Sequence, residues 1–163
     1  MDAIKNLLSR KSSKILEAPF PSKKEMDIVY QSALRAPDHA WLRPSKFLEF
    51  KGESLEKLSK IFTNFANDHF QEDKAFIEKA KVAPFRAPMV IVLITEIKDH
   101  PKVPAIEQML STSAATQNIL LALHALGYGA IWKTGKLALN ENIPKYFNLD
   151  KNHHILGYIY VGT

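Results

Sequence analysis

Apolar residues recur at helical intervals through the first part of the chain. Ile4, Leu7 and Leu8 share one helical face behind Asp2, whose carboxylate suits an N-cap, and they predict a short helix that ends in the cationic run Ser9-Arg10-Lys11-Ser12. After Pro21, Ser22-Lys23-Lys24-Glu25 has the serine and glutamate three apart that close a capping box. Met26, Val29, Ala33 and Leu34 then supply an apolar stripe as far as Arg35. Lys46 to Phe50 is rich in strand formers and is closed by Lys51-Gly52, after which Ser54 opens a helix carrying Leu55, Leu58, Ile61, Phe62 and Phe65. A further helix is predicted over Asp73 to Lys81.

Pro84 and Pro88 bracket a break, and the apolar run Met89 to Ile94 follows without interruption. It is far short of the roughly 20 residues of a membrane span and suits a central strand covered on both faces. From Glu107 to Leu126, Met109, Leu110, Ala114, Ala115, Ile119, Ala122 and Leu126 stand at helical spacing before a stop at Gly127. The Ser, Thr and Ala content of this long helix lets another helix approach closely, as a core spine or a subunit interface. Ala130-Ile131-Trp132 and Ile155 to Val161 read as two more strands, separated by a short helix near Ile143 to Phe147. Helices between well-separated strands indicate one α+β domain over residues 1–163 with a mixed sheet.

Composition narrows the chemistry. Cysteine is absent, which removes disulfide frameworks, Cys-ligated zinc, iron-sulfur clusters and thiol catalysis together. Lys and Arg number 22 against 17 Asp and Glu, a formal charge of +5. That excess shows no nucleic-acid reading motif and no aromatic platform within a basic stripe, so no nucleic-acid partner is expected. Met1-Asp2-Ala3-Ile4-Lys5 does not begin a secretory signal, and a cytoplasmic protein without membrane attachment is expected.

Several motifs fail on inspection. Gly127-x-Gly129 has Trp132 where a dinucleotide fingerprint needs its third glycine, and a helix precedes it instead of a strand. Gly129 with Gly135-Lys136 is one residue too long for a phosphate loop, and Leu137 replaces the hydroxyl. His153 and His154 would point to opposite faces of a strand, so no metal site is expected. Neither a zincin helix nor a serine-hydrolase elbow is present, and no side chain is nominated as a catalytic acid, base or nucleophile. What remains is Arg10, Lys11 and Ser12 after the first helix and Arg35-Ala36-Pro37-Asp38-His39 after the second. Guanidinium forks and a hydroxyl can hold a phosphate dianion. Cations there also offset a helix macrodipole by roughly 0.3 to 1 kcal/mol without any ligand, and spacing alone leaves both readings open.

Five segments in order carry a resemblance. Ser9-Arg10-Lys11-Ser12, Arg35-Ala36-Pro37-Asp38-His39, Lys79-Ala80-x-x-Ala83-Pro84-Phe85-Arg86-Ala87-Pro88, Lys102-Val103-Pro104-x-x-Glu107-Gln108 and Gly129-Ala130-Ile131-Trp132-Lys133-Thr134-Gly135 resemble the compact bacterial branch of the FMN-dependent nitroreductase family. The likeness runs from Asp2 to Thr163. It implies an α+β three-layer sandwich, with a mixed, mainly antiparallel sheet flanked by helices, in an intertwined homodimer with FMN at the interface. It further implies that Arg10, Lys11 and Ser12 hold the phosphate and ribityl end. Arg35 and His39 would approach from the other subunit, and Trp132, Lys133 and Thr134 would complete the first subunit's side. The nicotinamide-side segment corresponds to Ala122, Leu123, His124, Ala125, Leu126 and Gly127, although His124 by itself reads as a core histidine with a polar partner.

The implied activity is an NAD(P)H oxidoreductase that passes electrons from NADH or NADPH through FMN to a nitroaromatic, a quinone or a similar small acceptor by a ping-pong mechanism. Lys133 would stabilise the reduced ring near the flavin N1 and C2 carbonyl. The chain departs from the family pattern at Lys133, where close relatives have arginine, at Arg43-Pro44-Ser45, where Gln-Pro-Trp is usual, and at Ile106, where an aromatic residue is usual. These changes motivate a second reading, a flavin-binding or flavin-processing protein of the same fold without turnover. Relatives continue past the position of Thr163 with a tail that crosses the dimer, on which dimer stability and flavin affinity would bear.

Overall fold

Asp2 accepts hydrogen bonds from the backbone N–H groups of Ile4 and Lys5 and opens α1 (Ala3–Ser9) as its capping geometry requires. The structure, a computed structural model, describes residues 2–163; Met1, the first residue of the segment read for a leader, lies outside them. Ile4, Leu7 and Leu8 share a face as expected, yet that face is exposed and no residue of α1 is buried. The helix is held by Asn6, whose Nδ2 donates to the Leu121 carbonyl at 3.0 Å.

Both halves of the Ser22–Glu25 capping box form at the start of α2 (Lys23–Ala33), which ends two residues before Arg35. The Ser22 hydroxyl and amide hold the Glu25 carboxyl below its ordinary range. A group depressed in the folded state stabilises above its unfolded pKa and loses that contribution as pH falls through the folded one. Ser22→Ala removes the N-cap of α2, a loss that costs about 1 kcal/mol in general. Urea denaturation should show the gap to the parent narrowing as the solution is acidified below the ordinary carboxylate range.

The remaining elements follow in chain order as β1 (Ser45–Lys51), α3 (Ser54–His69), α4 (Lys74–Val82), a 3-10 turn over Ala83–Arg86, β2 (Met89–Glu96) and α5 (Ala105–Ala125). They continue with β3 (Gly129–Lys133), α6 (Lys136–Leu139), α7 (Ile143–Tyr146) and β4 (His153–Gly162). The four strands form one sheet in the order β1-β2-β4-β3. Every residue from Met89 to Thr95 is buried, as a strand covered on both faces demands. Met89, Ile91 and Leu93 meet α2 and α5 on one face, whereas Val90, Val92 and Ile94 meet α3, Phe62 and Phe65 included, on the other. The result is the expected α+β sandwich of three layers.

All pairings are antiparallel, so the parallel component of the expected mixed sheet is missing among the described residues. β2 and β3 do run in the same direction and α5 links them, but β4 inserts between the two and takes both sets of hydrogen bonds. The β2–β4 ladder slips between Leu93 and Ile94, where Leu93 faces Gly157 and Ile94 faces Ile155. Leu156 is the extra residue of that bulge.

Candidate functional site

Arg10 follows α1 directly, and the chain then turns along the end of the sheet. Ser13 N–H donates to the Ala130 carbonyl at 3.0 Å, and Glu17 and Thr163 exchange two backbone hydrogen bonds of 3.2 and 2.9 Å. This run and the α5–β3 turn enclose a cleft of about 340 Å³. Arg10 and Lys11 form its cationic side, His124 and Gly127 close it from the end of α5, and among the described residues no Asp or Glu side chain lines it. Ser12, the expected hydroxyl, is exposed and outside the cleft; Ser13 lines it instead. A Cβ on Gly129 would come within 2.9 Å of Ser13 Oγ and 3.0 Å of Leu16 Cδ2, so the glycine sets how closely this strap approaches β3.

The end of α5 divides by helical phase. Leu123 is fully buried in the α2–α5 core and has no surface to offer a nicotinamide. His124 does have the expected polar partner, Ser9 Oγ at 3.0 Å from Nε2, but it sits at the α1–α5 junction and lines the cleft instead of the core. Ala125, Leu126 and Gly127 are exposed and Ala122 is half-buried.

Along β3, Trp132 and Lys133 take opposite faces, because strand side chains alternate. Trp132 packs on the α2–α5 side and donates from Nε1 to the Leu156 carbonyl at 3.2 Å. Lys133 lies on the other side with its Nζ 5.2 Å from the centre of the Tyr160 ring. Burial, and after it the charges of Arg86 and Lys79, lower the Lys133 pKa, and burial pushes the Tyr160 phenol up to about 12. The like charges of Arg86 and Lys79 act against the Lys133 cation, and an added anion would offset them. Lys79 and Arg86 stand in one of the resembling segments, but their influence on Lys133 depends on the fold and not on sequence spacing. Thr134 is exposed beyond the strand end.

Arg35 and His39 lie elsewhere. Arg35 is exposed past α2, and His39 Nδ1 stands 2.5 Å from Glu107 Oε2 at the start of α5. Their segment leads into β1, one edge of the sheet, while Trp132 and Lys133 are on β3, the other edge. Three strand spacings, about 14 Å, separate those edges. One chain therefore gathers Arg10, Lys11, His124 and Gly127 but not Arg35 or His39.

Among the described residues no three His, Asp or Glu side chains are placed to hold a metal ion, and no helix is long and apolar enough to cross a membrane. The sandwich with its cation-lined cleft belongs to a known class. The chain is a member of the nitroreductase family, whose model matches residues 7–163. It is 34% identical over 163 residues to the Escherichia coli K12 protein named Putative NAD(P)H nitroreductase YdjA, covering all of this chain and 88% of that one. Among solved structures, a nitroreductase-like family protein from Bacillus cereus superposes with a TM-score of 0.85 at 23% identity, over 99% of this chain and 85% of the other. A Bacteroides fragilis nitroreductase with bound FMN gives 0.74 at 17% identity, over 99% and 88%.

Proposed function

We propose that the chain is an FMN-dependent NAD(P)H oxidoreductase that reduces nitroaromatics, quinones or similar conjugated acceptors. The observation that carries this reading is the cleft in which Arg10 and Lys11 converge without a facing Asp or Glu side chain. Such a setting suits a phosphate dianion, since charge-assisted hydrogen bonds there are not diverted to a neighbouring acid. Family membership and the FMN found in the Bacteroides fragilis neighbour support it.

Bound FMN would supply hydride acceptance from NADH or NADPH and electron delivery to the acceptor. Arg10 and Lys11 would hold its phosphate, with Ser12 and Ser13 on the same strap. From Gly129 to Lys133 the strand extends about 13 Å, enough to separate a phosphate from a ring joined by a five-carbon chain. Trp132 and Thr134 would border that ring, and Lys133 would place positive charge at the strand end. Ala122, His124 and Gly127 would flank the nicotinamide side.

Arg35 and His39 reach the same cofactor only from a second copy, because they sit at the opposite sheet edge. The reading therefore includes a homodimer, to which the exposed Ile4, Leu7, Leu8, Ile106 and Leu110 offer apolar surface. Purified protein should be yellow, with flavin absorbance that bleaches on anaerobic mixing with NADH or NADPH and returns on adding an acceptor. Steady-state plots at several acceptor concentrations should be parallel, as alternating half-reactions require. Colourless protein that ignores added FMN overturns the proposal, and stable colour that neither nucleotide bleaches favours the flavin-binding alternative.

A further inference from the structure

A second cleft lies on the other side of α5, between the end of α2 and the start of β1. Its volume is about 170 Å³. Small side chains make this space: Ala33 and Ala36 from α2 and its exit, Ser45 from β1, and Ser111 and Ala115 from α5. Tyr30 and Phe47 form a flat wall, their rings stacked with centroids 5.7 Å apart and planes 11° from parallel. A cavity of about 150 Å³ with apolar walls takes one benzene-sized ring.

The rim carries a cation held in place at some cost. Ala40, Trp41 and Arg43 all adopt left-handed backbone, with φ of 58°, 55° and 50°. Each such residue stores of order 1 kcal/mol, and strain of this kind persists where surrounding bonds over-determine it. Here Lys98 Nζ donates to the Leu42 carbonyl at 2.6 Å and the Arg43 amide donates to Asp38 Oδ2 at 2.9 Å. The Arg43 guanidinium lies 4.6 Å from the centre of the Trp41 ring, its Nη1 donates to the Leu34 carbonyl at 3.3 Å, and its Nε is 3.9 Å from Asp38 Oδ2. Among the described residues Nη2 has no hydrogen-bond partner. Asp38, also on the rim, is committed to the Arg43 amide and only 10% exposed at its side chain. Outward from the rim, the charge on offer is positive.

From this geometry we infer that the cleft binds a single aromatic ring bearing a carboxylate or similar anionic group, with the ring against Tyr30 and Phe47 and the anion on Arg43. Within one chain the site is separate from the Arg10 cleft, and because Ala36 to Asp38 lie between the Arg35 and His39 assigned to a partner's flavin, binding is measured on flavin-free and flavin-loaded protein alike. Binding of 4-fluorobenzoate and 4-fluorobenzylamine to the purified protein, followed by fluorine NMR, tests it. The acid should bind at least about tenfold more tightly than the amine, and Arg43→Gln should weaken the acid by about tenfold while leaving the amine unchanged. Ser111→Leu, which fills the floor, should abolish binding of the acid.

Equal affinity for acid and amine overturns the inference, as does acid binding that survives Arg43→Gln and so lies elsewhere. Acid affinity that falls as protein concentration rises would show that a second copy fills the cleft, and overturns it equally. Should Ser111→Leu fail to fold, the Arg43→Gln comparison and the concentration series still decide.

Discussion

Gly157→Ala is expected to destabilise the protein by roughly 3 kcal/mol or more, the sum of a strained backbone and an overpacked interior. Gly157 sits at φ 141° beside the bulge in β4, and a Cβ there would fall 2.2 Å from Trp132 Nε1 and 2.6 Å from the Lys133 carbonyl oxygen. The clash is with a ring fixed by its hydrogen bond to Leu156 and with backbone, so neither can give way cheaply. Gly52→Ala is the internal control. Its φ is 54°, but nothing lies within 4 Å of the added carbon, so the cost should be confined to backbone conformation, about 1 kcal/mol. Urea denaturation of both variants separates the two contributions. Equal midpoints would mean that Trp132 does not lie against Gly157. A folded Gly157→Ala protein should also show displaced Trp132 fluorescence, which connects this packing detail to the proposed ring site.

Arg10→Ala should raise the FMN dissociation constant by about 10 to 100-fold, the loss of one or two charge-assisted hydrogen bonds at roughly 1.5 to 3 kcal/mol. The guanidinium makes no hydrogen bond within the described chain, so removing it should leave the thermal midpoint of flavin-free protein unchanged. Fluorescence titration of flavin-free protein with FMN measures the first quantity, and a melt without FMN the second. Riboflavin, which lacks the phosphate, should bind both proteins alike. An unaltered FMN affinity would remove Arg10 from the phosphate site, while an equal loss for riboflavin would place it against the ring instead. The effect should also shrink with added salt, since the cleft is open to solvent at Lys11.

Local patterning carried much of the fold. Ser22 and Glu25 close their capping box, Met89 to Ile94 is a fully buried strand, and α5 stops at Ala125, two residues before Gly127, whose φ of 92° suits the turn away from the helix. The three-layer arrangement and the family were implied by the resemblance that five short segments, each local in sequence, carry together. What needed the folded chain depends on partners distant in sequence. The insertion of β4 between β2 and β3 is set by burial of the whole sheet, and no window of residues around α5 contains that information. The serine that lines the cleft is Ser13 because the strap is pulled onto Ala130. Trp132 and Lys133 part company because they share a strand, which period-two alternation already required once that strand was assigned. The helix α6 went unread: Lys136–Leu139 is too short to show a period, and its place is fixed by Ala138 in the core and by the Tyr158 hydroxyl donating to the Leu137 carbonyl. Left-handed Ala40, Trp41 and Arg43 left no trace either, since none is a residue that favours that conformation.

The strand order also has a consequence for how this chain folds. β4 follows the other three strands in sequence but occupies an inner position of the sheet, and among the described residues β3 pairs with β4 alone. Until β4 docks, an antiparallel β1–β2 pair exposes along its open edge the backbone of Met89 to Ile94, apolar throughout and free of charge or proline. Such an edge is a template for another chain. Completion of the sheet therefore waits on contacts between distant residues, which makes folding slow relative to helix formation. The strand that completes the core in the native state is the same one whose late arrival leaves the chain most open to aggregation.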